Sequence, residues 1–208
     1  MSTGPQRYRR HRPVRRAVVL GEPDGVEAEM LGCRLKWADE VPPSVVTHPL
    51  QSQKPEDLPE IDETRGRFPV IIDALQKLKR EIGGSVGLYG LVCGPFTLAL
   101  HLLGNDIFLK MFDDPESVKE IIGCCAEVGA KSAEIYMKHG ADVVAVVDPM
   151  TSQISPEHFA EFVTPHLNKV FDRIRAKDAK SCMFVCGDAY RNLEQMCKTT
   201  ADSVSVDE

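Results

Sequence analysis

The chain has 208 residues, of which 43% are hydrophobic and 27% charged, with a net charge of −6. That length suffices for one domain with a sizeable core, and the acidic balance argues against nucleic acid as a main partner, which would favour a basic face. Seven cysteines without a secretory signal fit a reducing, cytoplasmic setting and argue against a disulfide framework.

The charge is uneven. The opening "MSTGPQRYRRHRPVRR" holds six arginines and no acid, which leaves 19 basic residues against 31 acidic ones in the remainder. No hydrophobic period runs through residues 1–30, so this stretch is expected to be a basic, disordered segment, with the folded domain spanning 31–208. Residues 41–63 are rich in proline and polar side chains and read as an extended connection. Ile72, Leu75 and Leu78 then share one side of a helix ending near Ile82, with Lys77, Lys79 and Arg80 on another.

From residue 85 the chain alternates. "SVGLYGLVCG" reads as a strand and "PFTLALHLLG" as a helix opened by Pro95 and closed by Gly104. Together they form the longest charge-free run, 87–104, but its glycines and proline argue against a membrane span. "DDPESVKEIIGCCAEVGAKSAEIYMKHG" is the clearest helix, capped by Asp114 and ended by Gly140. Its adjacent cysteines, 124 and 125, point about 100° apart and read as packing residues. "ADVVAVVD" is a strand apolar on both faces, as buried parallel strands are. Ser155 and Pro156 open the next helical segment, which Pro165 is expected to break in two. "SCMFVC" is a strand, "AYRNLEQMCKTT" a short helix and "DSVSVDE" a final strand.

Strand–helix alternation with strands apolar on both faces predicts an α/β fold with a parallel sheet. No glycine-rich dinucleotide or Walker-type loop follows any strand, which disfavours nucleotide-binding folds. In a (β/α)8 barrel the chemistry lies at the C-terminal ends of the strands. Three successive strands here end in Asp148, Cys186 and Asp207, all of them metal-ligand residue types.

Three stretches, "GLVCGPFTLALHLLG", "GADVVAVVDPMTSQISPEHFAEFVTPHL" and "MFVCGDAYRNLEQM", resemble the uroporphyrinogen decarboxylase superfamily, most closely its methyl-corrinoid:coenzyme M methyltransferase branch. The resemblance implies a TIM-type (β/α)8 barrel, present here only in part because four strands are recognised after residue 85. It also implies transfer of a methyl group from a methyl-corrinoid, carried by a corrinoid-binding partner protein, to a small thiol held as thiolate by zinc. In that branch zinc is held by a His-x-Cys pair and a later cysteine. Cys186 matches the first cysteine, and Phe184 stands where the histidine is expected, so zinc is expected to be weakly bound or absent in this chain and the chain itself to be inactive or only partly competent. Asp148 and His101 are the expected catalytic residues, His101 standing where the decarboxylase carries a tyrosine. Ser155 and Asp188 are the expected substrate-binding residues, and Asp148 and Asp188 the candidate oxygen ligands. The alternatives are porphyrinogen decarboxylation, and a non-catalytic relative that binds a corrinoid or tetrapyrrole. Unpaired barrel strands lead us to expect an oligomer or a part of a larger chain.

Overall fold

The computed structural model describes residues 17–21, 25–40 and 42–207. Five parallel strands form the main sheet: β1 (Ala17–Leu20), β4 (Gly87–Cys93), β5 (Val143–Val147), β6 (Lys180–Val185) and β7 (Ser203–Val206). A two-residue antiparallel ribbon, β2 (Leu35–Lys36) with β3 (Ser44–Val45), lies apart from it. The main sheet runs β1-β4-β5-β6-β7, so each strand is laid beside the previous one in chain order. The order never reverses, as it would at the switch point of a doubly wound sheet. A single winding direction puts every crossover helix on the same face, which is the arrangement of a (β/α)8 barrel. The described residues form this part of such a barrel, as the sequence pattern predicts.

The two faces of the sheet differ. Leu88, Val92, Val144, Val146, Met183 and Val185 join the core cluster under the helices. The alternate positions, Tyr89, Leu91, Ala145, Val147, Cys182 and Phe184, therefore face the opposite, inner side. The helical layer comprises α1 (Val26–Met30), α2 (Phe68–Ile82), α3 (Pro95–Leu103), α4 (Asp106–Asp113), α5 (Pro115–Lys138), α6 (Pro156–His158), α7 (Thr164–Arg175) and α8 (Leu193–Cys197).

Local chemistry explains most of the helix ends. Asp114 accepts a hydrogen bond from the Ser117 amide and Pro115 occupies the first position of α5. Gly104 and Gly140, at the ends of α3 and α5, have φ of 71° and 115°, a region where a β-carbon is strained. Pro165 does not break the helix it enters. A wide π-type turn, Phe159–Val163, joins α6 to α7, and the Thr164 hydroxyl donates to the Phe159 carbonyl at 3.3 Å. The extra residue in the turn absorbs the amide that proline lacks. In α5, Cys125 is buried and Cys124 exposed, as packing residues on different faces should be.

Three expectations need correction. The boundary at residue 31 falls inside the folded unit, because β1 pairs with β4 from Ala17↔Gly87 to Leu20↔Gly90 and α1 buries Val26, Glu27, Ala28 and Met30. A four-residue strand and a five-residue helix are too short to show a period, and long-range pairing creates both. The Arg-rich start, residues 1–16, lies outside the described residues. Residues 41–63 are not wholly extended but include β3 and two 3₁₀ turns, Pro49–Gln51 and Pro55–Asp57. Helix α4 is also absent from the pattern reading; it leaves Leu109 and Phe112 exposed.

Gly90 on β4 shows how closely the helices sit on the sheet. A β-carbon there would lie 2.9 Å from Tyr136 Cδ2 and 3.0 Å from its Cβ, and Tyr136 is fully buried against Phe68. Gly90→Ala is expected to destabilise the fold by about 1–3 kcal/mol through overpacking. Urea unfolding should show a lower midpoint at an unchanged m-value.

Candidate functional site

The C-terminal edge of the sheet gathers the chemistry. Asp148 follows β5, Cys186 follows β6 and Asp207 follows β7. The parallel register, Val147↔Phe184 and Val185↔Val206, brings all three to the same edge.

The three residues nevertheless do different things. Asp148 is completely buried. Its Oδ1 accepts from the Thr97 amide at 2.8 Å and the Thr97 hydroxyl at 2.6 Å, and its Oδ2 accepts from the Phe96 amide at 3.2 Å. It caps the N-terminus of α3 from the neighbouring strand, where the helix dipole favours a negative charge. Burial pushes its pKa up to about 6, while the Thr97 and Phe96 hydrogen bonds act in the opposite direction. Gly94 makes the contact possible, since a β-carbon there would lie 2.3 Å from the Asp148 side chain. Asp148, the expected catalytic group and candidate oxygen ligand, is here the cap of α3. Both of its oxygens are engaged by α3 and closed from solvent.

Thr97 completes the joint. Its hydroxyl donates to Asp148 and accepts from the Met150 amide at 3.1 Å. The Thr151 hydroxyl donates to the Asp148 carbonyl at 2.6 Å. Buried Asn192 then donates to the Thr151 and Ile154 carbonyls at 2.8 and 3.0 Å. This chain of bonds fixes the loop after β5 to α3 on one side and to the turn before α8 on the other.

Beside the joint lies a pocket of about 460 Å³ lined by residues that include Thr97, His101, Met150, Ser44, Asn105 and His48. His101 is largely buried, and burial together with nearby His48 lowers its pKa to about 4. It is neutral at neutral pH, and its Nε2 is buried without a hydrogen-bond partner. The His48 Nδ1 lies 2.8 Å from the His101 carbonyl, and a carbonyl only accepts, so His48 carries its proton on Nδ1. Pattern reading missed His48, which sits in a polar, proline-rich stretch without a period. It also missed Asn192, whose role depends on loops that meet only in the fold.

Cys186 is half-buried at the end of β6. Strand alternation sets it on the inner side, two residues beyond Phe184. Gly187 follows with φ of 82°, and its amide donates to Asp207 Oδ1 at 2.7 Å. Cys182, four residues earlier, is buried nearer the opposite rim, and burial raises its pKa. Asp188 lines a second pocket of about 490 Å³ with Tyr190, Leu193, Val206 and Asp207, and its Oδ1 accepts from the Tyr190 amide at 3.3 Å. The Ser155 hydroxyl accepts from the His158 amide at 3.2 Å, so it serves as the cap of α6. Asp188 and His101 line separate pockets.

The chain belongs to the uroporphyrinogen decarboxylase (URO-D) family, whose model matches residues 25–208. It is 30% identical over 186 residues to the methylcobamide:CoM methyltransferase MtbA of Methanosarcina acetivorans, covering 88% of this chain and 55% of that protein. It is 29% identical over 146 residues to the uroporphyrinogen decarboxylase of Carboxydothermus hydrogenoformans, covering 67% and 41% respectively. A methyltransferase structure from Methanosarcina mazei superposes with a TM-score of 0.81 at 24% identity, over 91% of this chain and 57% of that one, which shows the shared fold. The chain spans about half the length of the curated methyltransferases it matches.

Thr97→Val tests the joint. It removes the shortest bond to Asp148 and leaves the Met150 amide without its acceptor. A loss of about 1–3 kcal/mol is expected. The Asp148 pKa should rise further above about 6, because a bond that stabilises its charged form is gone. Urea unfolding and carbon-13 titration of the aspartate carboxyls measure the two effects, and Thr97→Ser should restore both.

Proposed function

We propose that this protein is a methyltransferase-type member of its family, acting between a methyl-corrinoid and a thiol acceptor, with Cys186 as the reactive-site residue. The observation that carries this reading is the placement of Cys186 at the C-terminal end of β6 on the inner side of the sheet. Barrel enzymes place their chemistry at that edge. Supporting it, the chain is 30% identical to relatives named as methylcobamide:CoM methyltransferases. The methyl group would come from a corrinoid carried by a partner protein, and a small thiol would accept it.

The residues present fit zinc poorly. Zinc sites use three or four protein ligands drawn from cysteine, histidine and carboxylate. Phe184 supplies no donor atom, Asp148 is committed to α3, and Asp188 caps the turn at Tyr190. We therefore assign no step to zinc. What these residues provide is an apolar inner wall from Leu91, Val147 and Phe184, and a thiol at the rim. The neutral His101 and the Thr97 joint shape the neighbouring pocket. Decarboxylation of a porphyrinogen is the second reading, supported by 29% identity over 146 residues to a uroporphyrinogen decarboxylase and weakened by His101 standing where that enzyme carries a tyrosine.

Purified protein should carry well under one zinc per chain. Phe184→His adds a second donor beside Cys186 and should raise zinc affinity, and Cys186→Ser in that background should remove the gain. With methylcobalamin as donor and coenzyme M as acceptor, wild-type turnover should be lost in Cys186→Ser. Activity or full zinc occupancy that survives Cys186→Ser would place the site elsewhere, and consumption of uroporphyrinogen would support the second reading.

A further inference from the structure

A second buried carboxyl lies under the helices. Glu27 on α1 is fully buried, and both of its oxygens lack a hydrogen-bond partner of ordinary geometry. Around it are the Ser132 hydroxyl and the Tyr136 phenol of α5, both also buried without partners, and the backbone of Cys93 at the end of β4. Three polar side chains from two helices thus meet in one seam without a hydrogen bond of ordinary geometry. Buried polar groups are nearly always paired, so such a cluster calls for an explanation.

The charged and titratable groups that face Glu27 are few. Arg67, just before α2, is the cation near it, and its Nε donates to Glu29 Oε2 at 2.8 Å. Tyr136 faces it from α5, and its phenol stays neutral because burial and the adjacent carboxyl both raise its pKa. Cys93 presents its backbone. An ionised Glu27 would therefore sit in a dry seam beside two neutral hydroxyls, with Arg67, bonded through Nε to Glu29, as the cation that acts on it.

We propose that Glu27 is a protonation switch that holds α1 against α5 when neutral and loosens this seam when ionised. Ser132 and Tyr136 can each donate to a carboxylate, but neither carries the positive charge that would offset its desolvation, whereas a neutral carboxyl avoids that cost. Burial raises the Glu27 pKa from 4.5 to about 7, while Ser132, the nearby backbone and Arg67 act to lower it. The switch thus operates near neutral pH. It also has a physical route to the pocket described above. The chain beyond α1 places the Cys33 thiol 3.5 Å from the His101 carbonyl, to which it donates. The inference is independent of the reaction proposed above.

The sign follows from the raised pKa. The folded state holds the proton more tightly than the unfolded state, so this contribution is fully present below about pH 4.5 and is lost as pH rises through about 7. Between pH 6 and pH 8 the folding equilibrium constant should fall about tenfold in wild type on account of Glu27. Glu27→Gln, which stays neutral, should remove that part of the fall. Asp148 is raised as well, so the difference between the two proteins isolates Glu27. The intact protein with carbon-13-labelled glutamate carboxyls offers a second readout that excludes Asp148. A protonated acid band in the infrared at pH 6 should convert to carboxylate across pH 7, and α1 amide protection, corrected for intrinsic exchange, should fall over the same range. An equal pH dependence in Glu27→Gln, or only carboxylate signal at pH 6, would overturn the proposal.

Discussion

The structure depends on a carboxylate with no access to water. Asp148 leaves β5 and enters the first turn of α3, where two amides and a hydroxyl close around it. Helix N-termini leave amides without partners, and an acidic side chain there satisfies them and complements the dipole. Here the acid comes from the next strand rather than from the helix itself. One side chain therefore sets the position of α3 relative to β5, and Gly94 leaves room for it to do so.

Other features follow from that joint. Thr97 passes the constraint to the Met150 amide, and Thr151 and Asn192 carry it to the loop after β6. The C-terminal edge of the sheet becomes a rigid rim rather than a set of independent loops. His101 lies one turn further along α3 than Thr97 and so inherits its place in the pocket. Cys186 stands on the adjacent strand, where Gly187 turns the chain at once and Asp207 holds that turn. A rigid rim of this kind is what a positioned thiol requires, because small displacements of reacting groups reduce rates steeply.

The two buried acids make a useful contrast. Burial raises both pKa values. Asp148 is met by three donors and can keep its charge at neutral pH. Glu27 has hydroxyls beside it but no hydrogen bond of ordinary geometry, and its proton is correspondingly harder to remove. Desolvation is common to both, and the hydrogen bonds decide the outcome.

The sequence by itself determined the alternation of β4, β5, β6 and β7 with their helices, because long apolar strands and capped, periodic helices announce themselves locally. It also determined Asp114 and Ser155 as caps, Gly104 and Gly140 as helix ends, and Cys186 as the last residue before a turn. The quoted stretches were enough to suggest the family. Only the tertiary structure decided what lies in residues 17–30, where a short strand and a short helix exist by virtue of partners on β4, α3 and α5. It alone decided that Asp148 caps α3, since its donors, Phe96 and Thr97, lie some fifty positions away in the chain. The roles of His48, Asn192 and Glu27 were hidden for the same reason. A polar residue in a sequence shows what it can bond to, but burial and the partners brought by distant segments determine whether it holds a charge, a proton or a helix.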